Sequence, residues 1–173
     1  YEYRAYMPAG KTGNEMIERL SDRLVAMDLL DQATALLDHH MRTQLEKEAR
    51  SRIGTKLATI HLLNRQPKKA LKALEDSVYG ENELLLRMYR NRLTAEALLD
   101  MGQADRAMQT LAQDSSSDAE RIRLEIYWQR RDWAKVSEIV ETMFKERQDV
   151  TAPLTLDEGT ALVKLALAYV FQN

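Results

Sequence analysis

The chain has 173 residues, 45% hydrophobic and 30% charged, with 25 basic against 27 acidic side chains, so it can bury a core while its overall charge marks neither a nucleic-acid binder nor a binder of anionic membrane. With no cysteine there is no disulfide, thiolate metal site or cysteine nucleophile, an absence that suits cytoplasm and bacterial periplasm or envelope equally. Few aromatics, prolines and glycines beside abundant Leu, Ala, Glu, Arg and Lys predict an all-α chain, and nothing reaches the roughly 18 uninterrupted apolar residues of a membrane span.

Residues 1–13 read as an N-terminal extension, and Tyr1 to Gly10 lacks the basic start and apolar middle of a signal peptide. From Asn14 to Met27, apolar residues at Met16, Ile17, Leu20, Leu24 and Met27 fall at the three-and-four spacing of one helix face. A second helix runs from about Asp31 past His40, with Ala33, Leu36, Leu37 and Met41 inward. A long helix ends near Asn64, with Ile53, Leu57, Ala58 and His61 inward, and its partner runs from Pro67 to Val78. Pro67 suits a first helical turn, where its missing N–H has no intrahelical role, and Gly80 suits a C-terminal cap. The third pair spans Glu81 to Met101 and Ala104 to Gln113, with Gly102 in the turn between them. Ser115-Ser116-Ser117-Asp118 caps the next helix, which runs to Arg130, and its partner extends from Trp133 to about Arg147. After a polar stretch from Gln148 to Pro153, a last apolar helix covers Thr155 to Phe171.

One turn recurs down this series. Leu30-Asp31-Gln32-Ala33, Gln66-Pro67-Lys68-Lys69-Ala70 and Gln103-Ala104-Asp105-Arg106-Ala107 close on alanines 37 residues apart, then 37 again. A fixed period of that size means one helical unit repeated and stacked, a solenoid whose working surface is what the stacking exposes. The positions around the turn resemble the tetratricopeptide repeat. The second unit supplies Gly54, Leu57, Ala58, His61, Ala70 and Leu74; the third Asn91, Thr94, Ala95, Leu98, Gly102, Ala107 and Leu111; the first Ile17, Leu20, Ser21, Leu24, Ala33 and Leu37. The fourth departs, with Glu120 and Arg123 at apolar positions, Leu124 at the small one and Val136 in place of the alanine, after a spacing shortened to 29 residues. The final helix matches through Leu162, Leu165, Ala166 and Tyr169, and Asn173 falls where a second helix would begin. The resemblance implies a right-handed α-solenoid of antiparallel helix pairs over residues 14–173, about four pairs plus a terminal helix. The start without methionine and the stop in mid-repeat read as a fragment of a larger bacterial protein of this repeat class.

The sequence offers little chemistry, and the expectation is a non-enzyme without cofactor or metal. His39 and His40 are adjacent, so on a helix they point about 100° apart, and His61 occupies the repeat's aromatic position. Gly10-Lys11-Thr12-Gly13 superficially matches a phosphate loop but lacks the spaced first glycine and a preceding strand. Acidic pairs such as Asp157 with Glu158 fit helix starts. Most of the eight methionines fall at or beside core spacing.

What remains is a groove. In the implied architecture the first helices line a concave wall, which places Arg52, Thr55, Thr59 and Leu62, then Tyr89, Arg92, Glu96 and Leu99, then Asp118, Arg121, Glu125 and Trp128 along it. Arg, Tyr and Trp often dominate binding energy at protein interfaces, so Arg52, Thr55, Thr59, Tyr89, Arg92, Glu96, Arg121, Glu125 and Trp128 are the expected contacts to a protein or peptide partner. The sub-class of the repeat that clamps a C-terminal carboxylate uses lysine and asparagine where this chain has Glu18, Asp22, Thr55 and Thr59, so no such clamp is expected. The alternative is a structural segment of a longer self-associating rod or assembly factor, joined through Leu162, Leu165 and Tyr169 of the terminal helix. RNA binding ranks behind both, because Glu96 and Glu125 interrupt a basic groove.

Overall fold

The computed structural model describes residues 10–43, 47–78, 84–145, 147 and 151–172. Among the described residues the secondary structure is all helical: α1 (Lys11–Ala26), α2 (Leu30–Thr43), α3 (Lys47–Leu63), α4 (Pro67–Asp76), α5 (Leu84–Asp100), α6 (Ala104–Thr110), α7 (Ser117–Gln129), α8 (Trp133–Lys145) and α9 (Leu156–Gln172). α1 begins three residues before the expected Asn14, and α6 ends at Thr110, short of Gln113. Gly80 lies outside the described residues. No described helix is long and apolar enough to cross a membrane.

The recurring turn has a repeated backbone geometry. Asp28, Arg65, Gly102 and Arg131 all adopt positive φ, at 59°, 54°, 74° and 57°. The next residue in each case, Leu29, Gln66, Gln103 or Asp132, donates its N–H back across the turn to Leu24, His61, Leu98 or Tyr127, at 2.8–3.0 Å. The same four residues accept from Ala33, Ala70, Ala107 and Val136 at 3.0–3.1 Å, starting the following helix. A left-handed residue followed by a bond that reaches back to the last turn satisfies carbonyls a helix end leaves orphaned. Val136 replaces an alanine in sequence yet makes the same bond, so the fourth turn keeps its form despite the shortened spacing.

The chain divides into two compact units, Tyr1–Thr110 and Leu111–Asn173. In unit 1 each helix from α1 to α6 packs on the next, and α3 also meets α1 and α5. Ala33, Ala70 and Ala107 are fully buried, because a small side chain lets each second helix lie close to the first. Leu37, Ile53, Leu57, Leu74 and Leu93 fill the core around them. Of the face expected on α1, Ile17 is buried and Leu24 packs against the core, whereas Met16, Leu20 and Met27 are exposed and Gly13 and Ser21 are buried instead. Ser21 turns inward because its hydroxyl is satisfied by the Glu18 carbonyl at 2.7 Å, and the larger residues then fall on the solvent side. His40 joins α2 to α1 through Nε2 and Asn14 Oδ1 at 2.8 Å.

In unit 2, α7 packs on α8 and α8 on α9, around Leu124, Val136, Val140, Ala161 and Ala168. Ser116 caps α7, its Oγ accepting from the Ala119 amide at 3.3 Å. A capping box opens α9: the Thr155 amide donates to Glu158 Oε2 at 2.7 Å and the Glu158 amide to Thr155 Oγ1 at 3.2 Å. The Thr155 amide, first among its partners, holds the Glu158 carboxyl below its ordinary pKa. The charged residues that break the repeat in the fourth unit pair with each other, Arg123 to Glu120 at 2.5 Å. Arg123 also donates to the Leu111 and Asp114 carbonyls at 2.5 and 2.7 Å, in the turn leading into α7.

Candidate functional site

The first helices of unit 1 enclose a cavity of about 360 Å³. α3 supplies its wall through Arg52, Thr55, Lys56, Thr59, Ile60 and Leu63, a three-and-four series that lies on one helix face. Val25 from α1 and Leu86 and Tyr89 from α5 complete it. Val25, Ile60, Leu63, Leu86 and the Tyr89 ring form an apolar floor, with Leu63 and Tyr89 left 58% and 39% exposed. Charged pairs stand along the rim. Arg52 meets Glu18 at 3.3 Å, and Lys56 meets Asp22 at 2.7 Å while also donating to the Glu18 carbonyl at 3.0 Å. Across the cavity the Thr59 and Tyr89 hydroxyls are 3.2 Å apart, and the Arg92 guanidinium lies 5.8 Å from the centre of the Tyr89 ring. Ion pairs this exposed contribute about 1 kcal/mol or less, so the same groups can be redirected to a partner at small cost.

Of the residues expected along the wall, Arg52, Thr55, Thr59 and Tyr89 line this cavity, and Arg92 stands beside it against the Tyr89 ring. Glu96, one turn beyond Arg92 on α5, is exposed. Leu99 is buried and Leu62 is half-buried against the core, and neither lines the cavity. Thr55 is only 4% exposed and acts beneath the surface: its Oγ1 donates to the Ser51 carbonyl at 2.6 Å and accepts from Arg90 at 2.8 Å. Arg90 is itself buried, bonded to the Ser51 and Leu74 carbonyls at 2.9 and 2.5 Å and to Ser77 Oγ at 3.2 Å. Burial pushes its pKa down. This knot ties the end of α4 to α3 and α5 and holds the wall of the cavity. Arg123 uses the same device in unit 2, and its acceptor Leu111 stands one 37-residue period after Leu74. Arg90 carried no sequence signal, because an arginine within a helix ordinarily reads as solvated. Lys56 did carry one, standing four residues after Arg52 on the same face.

The residues expected along the wall in unit 2 are engaged by α9. Arg121 pairs with Asp157 at 2.8 Å, and Glu125 with Lys164. Trp128 lies under the Lys164 ammonium at 5.5 Å and edge-on to Trp133 at 5.3 Å, while Phe171 stacks on Trp133 at 5.0 Å. In the repeat's register Glu125 and Lys164 occupy the positions of Asp22 and Lys56, so the same pair of positions carries a carboxylate–lysine bridge in each unit. On α9 itself, Leu162 and Leu165 are half-buried and Leu165 joins the core. Tyr169 is 46% exposed and donates to Glu141 at 2.5 Å. Leu165 thus faces its own unit, because α8 claims that side of the helix.

Compared with known proteins, the chain matches no protein-family model, no curated protein and no solved structure. The functional reading rests on the geometry of the chain itself.

Proposed function

We propose that this chain is a non-catalytic scaffold, built as tetratricopeptide-like right-handed solenoid stretches of antiparallel helix pairs, and that it seats a segment of a partner protein against α1, α3 and α5. The observation that carries the reading is the cavity floored by Val25, Ile60, Leu63, Leu86 and Tyr89 and rimmed by Arg52 and Lys56. Its volume suits one large apolar side chain of a partner, and its rim offers cations whose present pairings are weak. The turn repeated at Asp28, Arg65, Gly102 and Arg131 supports the solenoid, since equal turns in equal register stack equal units. The arrangement of Tyr89 with Arg92 and Arg52 is of the kind that dominates binding at protein interfaces.

Selection of a random displayed peptide library on the chain tests this. The expected peptides carry a large apolar side chain and bind about tenfold or more weaker to Tyr89→Ala and Leu63→Glu than to the unaltered chain, while Trp128→Ala leaves binding unchanged. Failure to enrich any sequence, or binders indifferent to both groove substitutions, would remove the groove from the account.

A further inference from the structure

α9 leaves one face bare. Leu156, Val163, Leu167 and Val170 are 87%, 60%, 38% and 67% exposed, and their spacings of seven, four and three residues align them in a stripe about 21 Å long. The opposite face, through Ala161, Leu165 and Ala168, packs in the core of unit 2. The three charged side chains of α9 are all engaged within the same unit: Asp157 with Arg121 at 2.8 Å, Glu158 with Arg147 at 3.1 Å, and Lys164 with Glu125. The stripe therefore carries no charge. Gly159 beside it has open space where a Cβ would stand, which lets another helix approach closely. The bare face amounts to on the order of 500 Å² per chain, at the upper end of what a monomer ordinarily exposes.

We propose that this stripe is a self-association surface and that its occupant is α9 of a second copy of the chain. A three-four apolar seam packs against a helix with the same seam at a shallow crossing angle, and the second copy brings that helix. A charge-free face meets itself across a two-fold axis without like-charge repulsion. It offers nothing by which a charged partner would be recognised. Two such faces together bury on the order of 1,000 Å², the size at which specific association begins. The surface belongs to unit 2 alone, so it stands or falls independently of the groove in unit 1.

Sedimentation velocity of the whole chain at about 100 µM should show a species of twice the chain mass, with a micromolar Kd. Val163→Asp should return it to monomer, a loss of affinity of about 100-fold or more, with helical circular dichroism unchanged; Val170→Lys, at the exposed end of the stripe, should do the same. Leu63→Glu in unit 1 should leave the dimer intact. Because the chain has no cysteine, Val163→Cys supplies a single thiol that should form a covalent dimer on mild oxidation, while Lys56→Cys should not. A monomer throughout that concentration, a dimer that survives Val163→Asp and Val170→Lys, or one abolished by Leu63→Glu would overturn the proposal.

Discussion

At Gly54, an added Cβ would overlap the Cβ and Oγ of Ser77 and come within 3.1 Å of the Ala73 carbonyl oxygen. Ser77 cannot swing aside, because it is fully buried and its Oγ is bonded to the Ala73 carbonyl at 2.6 Å and to Arg90. Gly54→Ala gains helix propensity of about 1 kcal/mol but must push the end of α4 off α3 and loosen the Arg90 knot. The net loss expected is about 2 kcal/mol, read from the urea midpoint at unchanged slope. His61 sets a second local condition. It is 8% exposed, and its Nδ1 finds no hydrogen-bond partner among the described residues. Burial first, then the nearby Lys69 charge, lowers its pKa below the ordinary 6.5, and burial lowers that of His40 as well. Below pH 6.5 the unfolded chain binds protons that the folded chain resists, so stability present above that pH is lost as pH falls through the depressed values. The urea midpoint should therefore drop between pH 7 and pH 5, and His61→Phe should flatten part of that drop; a midpoint equally steep in the variant would assign the effect elsewhere.

At the scale of the element, the turn is the unit of construction. Its left-handed position is filled by glycine only once, at Gly102, and by Asp28, Arg65 and Arg131 elsewhere. A residue with a Cβ pays about 1 kcal/mol or more there, which the bonds across the turn and the packing of the flanking helices offset. Arg65→Gly keeps the turn and relieves that strain, and should raise thermal stability by about 0.5–1 kcal/mol as measured by calorimetry. An unchanged or lowered Tm would mean that the Arg65 side chain contributes more than its backbone strain costs. The same scale explains why only Ile17 and Leu24 of the face expected on α1 turn inward. Apolar spacing alone cannot choose between two overlapping faces, and the choice went to the face bearing the small residues Gly13 and Ser21, which permit close helix approach. On α9 the uniform apolarity of the sequence hid which side faces out.

For the whole molecule, the period of 37 residues was readable from three alanines, and all three are fully buried. All-helical structure, the positions of the turns and the sharing of one α3 face by Arg52 and Thr59 were legible because each depends on helical periodicity and on chemistry local to a few residues. The rest depended on neighbours distant in sequence. Thr55 became a buried prop because Arg90, 35 positions away, reaches it. Arg121, Glu125 and Trp128 became internal braces because α9 brings Asp157 and Lys164 to them. By itself, then, the sequence determined the helices, their caps and the register of the repeat, since hydrogen bonds and side-chain spacing within one turn dictate those. Only the tertiary structure decided which polar side chains are open to a partner and which apolar face of α9 is bare, because exposure is a property of what packs opposite, and no single helix carries that information.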